Sequence, residues 1–200
     1  MLMPARARGF SIIELMVAIT VLGILLATVV PGIGSWMADA RVRSTADGLQ
    51  NAVRLAQATA VARSRPTVLA LTNATPTWDA TPVANGSNWF VRLLPLADAG
   101  EAADSSYFLQ GAAVARQNGA TVTGPALLCF NSLGQQTSKT TAATGMSVAC
   151  TAPTNDVTTP TEYTVARSGG RSLKVRVYLG GRVRMCDTAK TLSNSTPDGC

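Results

Sequence analysis

Six basic side chains lie close together near the C-terminal end of the chain. Between Tyr163 and Cys186 the sequence has no acidic residue, and its basic residues are Arg167, Arg171, Lys174, Arg176, Arg182 and Arg184. The segment therefore carries a charge equal to the formal net charge of the whole chain, +6. Clustered arginine and lysine side chains neutralise phosphate groups. The sequence predicts a local anion-binding surface here, and the alternative is an ordinary solvated strand face.

Alternating residue types predict that part of this segment forms a β-hairpin. The residues after Ser172 alternate between apolar and polar, as on a strand with one buried face. A three-residue loop over 179–181 would place Tyr178 opposite Arg182, whereas a loop of only Gly180 and Gly181 would mix the two faces. We therefore expect the longer loop. The surface so formed would present four cations and a tyrosine to solvent: Lys174, Arg176, Arg182, Arg184 and Tyr178.

An acidic residue, Glu14, lies within an apolar run from Phe10 to Val30. The run is about as long as a helix that crosses a bilayer, and Arg6 and Arg8 before it predict a cytoplasmic N-terminus. An acid inside a membrane helix costs roughly 2.5–3.5 kcal/mol on insertion scales. We therefore expect a functional role for Glu14, the alternative being a position shallow enough to reach the lipid headgroups.

The chain contains no histidine. This excludes hydrolases that use a serine–histidine or cysteine–histidine pair and argues against a zinc enzyme. The sequence also lacks a metal-spaced cluster and a glycine-rich phosphate loop between a strand and a helix. We predict that the protein is not an enzyme and has no cofactor or metal site.

Four cysteines, Cys129, Cys150, Cys186 and Cys200, predict disulfides in an oxidising compartment. Three pairings are possible. We favour Cys129–Cys150 and Cys186–Cys200, because each closes a local loop rich in turn residues. In the chain-entropy model each would contribute roughly 3 kcal/mol.

Helical patterns occupy the N-terminal part of the sequence, and strand patterns follow them. This order predicts an α+β fold, in which a long N-terminal helix packs on an antiparallel sheet. Residues 10–34 form a transmembrane or filament-core helix, and Pro31 is expected to kink or melt it. Residues 35–66 form an amphipathic helix that Pro66 ends, and residues 67–200 form a β-rich domain. The predicted strands are Thr67–Thr72, Asn88–Pro95, Tyr107–Ala115, Ala126–Asn131, Thr161–Ala166, Ser172–Leu179 and Arg182–Cys186, with loops at 73–85 and 138–160.

The stretch RGFSIIEL, which includes Glu14, resembles the prepilin peptidase signature: a glycine, a phenylalanine, and an acid five residues after the glycine. The resemblance implies that residues 1–9 are a leader, which a prepilin peptidase removes by cutting after Gly9. It also implies that Phe10 is then N-methylated, and that Glu14 attracts this amine on a neighbouring subunit during assembly. An ordinary secretory signal, cleaved near Ala38, is the alternative.

Three further segments resemble the FimT/GspH group within the pilin superfamily. They are ARSRPTV at 62–68, CFNSLG at 129–134, and GRVR at 181–184 with a cysteine two residues later. GRVR fits the GRxR motif of FimT-like minor pilins, which bind DNA during natural transformation. The resemblance implies the type IV pilin fold and a DNA-binding role for Gly181, Arg182 and Arg184. The predicted hairpin geometry adds Lys174 and Arg176, together with Arg171.

We therefore expect a minor pilin that first lies in the bacterial inner membrane as a single-pass protein with a periplasmic globular domain. It would then join a type IV pilus on the cell surface, with other pilins as partners. It would bind extracellular double-stranded DNA, largely independently of sequence, for uptake in natural transformation by competent cells. Neutralising about four phosphates would give a salt slope near −3.6. The alternatives are a purely structural minor pilin that primes pilus assembly, and a type II secretion pseudopilin that does not bind DNA.

Overall fold

The computed structural model describes residues 11–96, 100–113, 119–153 and 159–200, with the backbone but not the side chains of residues 28–33. The predicted leader 1–9 and Phe10 lie outside the described residues.

A single helix, α1 (Ile12–Ala62), forms the N-terminal part of the protein. It runs without interruption past Pro31, so the melted stretch expected there is not found. Its buried part begins at Ala38, and from there Val42, Leu49 and Val53 are fully buried. The helix ends before Pro66 because proline disfavours a helical conformation of the preceding residue. Among the residues with described side chains, no helix is long and apolar enough to cross a membrane.

The first antiparallel sheet contains β1 (Thr67–Thr72), β2 (Asn88–Leu93), β3 (Phe108–Ala112) and β5 (Leu127–Phe130), in the order β3-β2-β1-β5. The inner strand β1 is buried along its whole length. One face of the sheet packs on α1, and the other contributes Phe90 and Cys129 to a second apolar cluster, which also contains the disulfide partner Cys150. This burial on both faces explains why the sequence TVLALT does not alternate.

The second antiparallel sheet contains β4 (Thr121–Thr123), β6 (Thr161–Ala166), β7 (Leu173–Val177) and β8 (Val183–Asp187), in the order β4-β6-β7-β8. Burial alternates along β7, whose apolar residues pack against α1 in the main core. The opposite face of this sheet, called here the outer face, carries Lys174, Arg176 and Arg184. Gln136 joins the two sheets, because its side chain donates to the carbonyl oxygen of Val177 over 2.6 Å.

The predicted α+β class, a long N-terminal helix packed on antiparallel β-structure, is confirmed. Each predicted strand has a counterpart, with differences of a few residues at the ends, and residues 114–115 of the predicted strand Tyr107–Ala115 lie outside the described residues. The short strand β4 was not predicted, because three residues carry too little alternation to identify a strand. In the described part of the predicted loop at 138–160, Thr141–Thr144 form a helical turn, α2. Residues 154–158 of that loop lie outside the described residues.

Candidate functional site

The C-terminal hairpin has the predicted register. Arg176 lies directly opposite Arg184 on β7 and β8. The amide of Tyr178 donates to the carbonyl oxygen of Arg182 over 2.9 Å. The amide of Gly181 donates to the carbonyl oxygen of Tyr178 over 2.8 Å. The loop therefore consists of residues 179–181, as predicted.

Gly181 is required by the fold. Its φ of +91° lies in the region that favours glycine. A Cβ atom at this position would lie 2.6 Å from the carbonyl oxygen of Gly134. The side-chain amide of Gln57, on α1, donates to the carbonyl oxygen of Gly181 over 2.5 Å. The glycine of the GRVR segment thus allows the hairpin loop to approach the helix closely.

Lys174 and Arg176 share an acidic partner on the neighbouring strand. Glu162 accepts from Nζ of Lys174 over 2.6 Å and from Nε of Arg176 over 2.7 Å. Burial raises the pKa of Glu162, but the hydrogen bonds and charges of the two cations outweigh burial and leave the pKa below its ordinary value. The cluster of these three residues has a net charge of only about +1, since each ionised side chain carries one unit.

The remaining outer-face donors contact the C-terminal strap, defined as residues 188–200. Nη1 of Arg176 donates to the carbonyl oxygen of Cys200 over 2.8 Å. Nη2 of Arg184 donates to the carbonyl oxygens of Pro197 and Gly199, each over 2.7 Å. The prediction of an open, solvent-facing basic surface is therefore wrong, because the strap crosses it. Both arginine side chains are only partly exposed.

Arg182 and Tyr178 form a stacked pair at the end of the hairpin. The guanidinium carbon of Arg182 lies 4.0 Å from the centre of the Tyr178 ring, a cation–π contact. Tyr178 is only 6% exposed, so the prediction that the hairpin presents this tyrosine to solvent is wrong. Arg182 itself is exposed, and the described residues include no ion pair with it.

Arg171 lies at the opposite end of β7 from the hairpin loop. Its Nε lies 3.2 Å from a carboxylate oxygen of Asp39 on α1, and its Nη1 lies 3.7 Å from one of Asp187. The backbone amide of Arg171 also donates to Asp39 over 2.6 Å, which lowers the pKa of that carboxyl. Arg171 therefore connects the helix to the sheet and is not grouped with the loop arginines.

Sequence reasoning missed three contributors to this site: Glu162, Gln57 and the carbonyl oxygens of the strap. Glu162 immediately precedes Tyr163 in the sequence, but its position opposite Arg176 follows from the pairing of β6 with β7, which the sequence pattern does not specify. The strap carbonyls could not be identified from the sequence, because every residue has a backbone carbonyl whatever its side chain.

The N-terminal part of α1 is the second candidate site. Its large apolar residues from Ile12 to Leu26 are all more than half exposed, on every side of the helix. Glu14 is also exposed, in the first turn. Gly9 and Phe10 lie outside the described residues. A helix that is apolar on all sides requires an apolar environment, which the described residues of this chain do not supply.

Both favoured disulfides are confirmed. Cys129 pairs with Cys150, and Cys186 pairs with Cys200. The first pair lies in the apolar cluster behind the first sheet. The second ties the end of the strap to β8, beside the basic residues of the outer face.

Residues 4–30 match a family model described as the prokaryotic N-terminal methylation motif. Two crystal structures of the type IV minor pilin FimU of Pseudomonas aeruginosa are similar to this chain. One has a TM-score of 0.45 and 14% identity, covering 80% of this chain and 94% of that chain. The other has a TM-score of 0.44 and 13% identity, covering 79% and 98%. No curated protein matches the chain. At its N-terminal end, the chain thus carries a prokaryotic methylation motif that continues into the exposed apolar part of α1.

Proposed function

We propose that this chain is a type IV pilin-like filament subunit. The observation that carries the proposal is the continuity of the methylation motif with a helix whose apolar residues are exposed on all sides. Burying each large apolar side chain contributes about 1.5–3 kcal/mol. Lipid before assembly, and neighbouring helices afterwards, would provide that burial.

The proposed maturation uses residues at the start of the motif. A prepilin peptidase removes residues 1–9 at the cytoplasmic side of the inner membrane, and the amine of Phe10 is then methylated. Glu14 attracts that amine on an adjacent subunit, which gives the carboxylate a charged partner within the apolar filament core. The globular domain stays on the periplasmic side until the subunit enters the pilus.

Co-expression of the full chain with a prepilin peptidase tests this proposal. Intact-mass and N-terminal analysis should show a product that begins with N-methylated Phe10, and Gly9→Leu should remain unprocessed. Glu14→Leu should be processed but fail to enter filaments. Cleavage near Ala38, or no cleavage of the wild-type chain, would contradict the proposal.

A second proposed function is binding of double-stranded DNA at the hairpin loop, for uptake in natural transformation. The observation that favours it is the exposed guanidinium of Arg182, which stacks on the ring of Tyr178 two residues before Arg184. Lys174 and Arg171 already contact carboxylates, and Arg176 is held both by Glu162 and, through Nη1, by the strap carbonyl of Cys200. We therefore assign two phosphate contacts in place of four, which gives a salt slope of about −1.8.

DNA binding by the full chain in detergent micelles, measured over a salt series, tests this second function. Arg182→Ala/Arg184→Ala should abolish the salt-dependent component. Arg41→Ala is the matched control, since Arg41 is an exposed arginine of α1 that precedes Gln57 by 16 residues, about 24 Å of helix. If the wild type fails to bind, or the loop variant binds as tightly as the control, the protein is a structural pilin or a secretion pseudopilin.

A further inference from the structure

The C-terminal strap follows β8 and then returns alongside it. The amide of Asp187 donates to the carbonyl oxygen of Asp198 over 2.7 Å, and Asp187 also pairs with Gly199 in a parallel bridge. The Cys186–Cys200 disulfide closes the strap. The return path places the carbonyl oxygens of its last residues over the outer face of the second sheet.

Few apolar contacts hold the strap in place. Residues 188–195 are exposed, and Leu192 is 55% exposed. Exposed segments with little buried apolar surface open at low free-energy cost. The strap is therefore held over the hairpin by backbone hydrogen bonds to Asp187, by the bonds from Arg176 and Arg184, and by the disulfide, which is the one covalent cross-link between the end of the strap and β8 in the described structure.

The strap and a phosphate group require the same donors. Carbonyl oxygens of the strap accept from Nη2 of Arg184 and from Nη1 of Arg176. Phosphate oxygens accept from the same guanidinium groups. While the strap is closed, a polyanion can use Arg182 and the donors of Arg184 other than Nη2. It cannot use Nη1 of Arg176 until the strap leaves.

We propose that the strap is a redox-controlled cover over the polyanion site, and that opening the Cys186–Cys200 disulfide adds Arg176 to the binding surface. This inference rests on the proposed DNA binding at the hairpin loop. In the chemical step, a thiolate of a dithiol attacks one sulfur of the disulfide and forms a mixed disulfide. The second thiol of the reductant then displaces the protein thiolate. The dithiol is oxidised to a disulfide, and Cys186 and Cys200 receive its two electrons and two protons as thiols.

The test compares DNA binding by three full-length proteins in detergent: oxidised wild type, Cys186→Ser/Cys200→Ser, and Cys129→Ser/Cys150→Ser. One more neutralised phosphate raises affinity about eightfold in ~0.1 M salt and changes the slope from about −1.8 to about −2.7. We expect this gain in the strap variant and none in the variant that lacks the other disulfide. Adding Arg176→Gln to the strap variant should reverse the gain.

A second measurement keeps the proposal testable if the strap variant, Cys186→Ser/Cys200→Ser, misfolds. In the Cys129→Ser/Cys150→Ser protein, dithiothreitol can reduce only Cys186–Cys200, so binding before and after reduction reports on the strap alone. Hydrogen exchange at the Asp187 and Cys200 amides should accelerate on reduction. Equal affinity and slope in the closed and open proteins, with binding by the wild type, would overturn the strap proposal alone. Absence of binding in every protein would overturn the DNA-binding function as well.

Discussion

The side-chain amide of Gln57 donates hydrogen bonds to the carbonyl oxygens of Gly181, over 2.5 Å, and Gly134, over 3.3 Å. Gln57 lies on α1, 124 residues before the hairpin loop. The bond to Gly181 fixes the hairpin loop against the helix. The residue that follows Gly181 in the chain is the exposed Arg182. The helix therefore helps to determine where the candidate DNA-binding arginine lies.

Gly181→Ala should destabilise the protein by about 2 kcal/mol. The alanine would have to adopt an unfavourable positive φ, and its Cβ would also collide with the carbonyl oxygen of Gly134. Gly169→Ala is the matched control, because Gly169 has a φ of +77° but no atom lies within 4 Å of the place that a Cβ would occupy. Its cost should be limited to about 1 kcal/mol. Urea unfolding would measure both, and equal losses would show that the approach to Gly134 is not what requires glycine.

The hairpin register was predictable because the side-chain alternation leaves little choice. A shift by one residue would move Val175 and Val177 from the core to the outer face, and the apolar pattern opposes this. The surroundings of the hairpin were not predictable in the same way. Which strand pairs with β7 decides that Glu162 lies beside Arg176, and this pairing depends on the path of the whole chain.

The cost of opposing Arg176 and Arg184 is offset within the protein itself. Like charges that lie directly opposite each other destabilise a sheet. From the sequence, an external anion was one explanation for such a pair. The structure instead supplies Glu162 on one side and the strap carbonyls on the other. The basic cluster by itself therefore does not require a ligand, and the proposed DNA binding depends on Arg182.

Glu162→Gln should lower stability at neutral pH by about 1 kcal/mol, because Lys174 and Arg176 lose their shared carboxylate. The folded-state pKa of Glu162 lies below the ordinary value of 4.5. Its contribution is therefore complete above that pH and disappears as the pH falls through the folded-state pKa. Unfolding curves over a pH series should show the wild type and the variant converging in acid.

Asp47→Asn provides the control for Glu162. Asp47 faces Arg43 over 4.0 Å in an exposed pair on α1, so its replacement should leave stability nearly unchanged across the same pH series. A constant difference between Glu162→Gln and the wild type at all pH values would show that ionisation of Glu162 is not the cause.

Tyr163→Phe should stabilise the protein by about 1 kcal/mol. The ring of Tyr163 is fully buried between α1 and the second sheet, and its hydroxyl has no hydrogen-bond partner in the described part of the chain. Burial accordingly raises the pKa of Tyr163. A buried polar group without a partner costs free energy, whereas phenylalanine retains the packing of the ring.

Tyr107→Phe should have the opposite effect, a loss of about 1 kcal/mol, because the Tyr107 hydroxyl donates to Glu101 over 2.9 Å. Thermal unfolding of the two variants beside the wild type would compare them directly. The pair separates the effect of a hydroxyl that has a partner from that of one that has none, since both substitutions remove the same atom from a buried ring. A loss of stability in Tyr163→Phe would mean that its hydroxyl is hydrogen-bonded in solution, and would contradict the prediction.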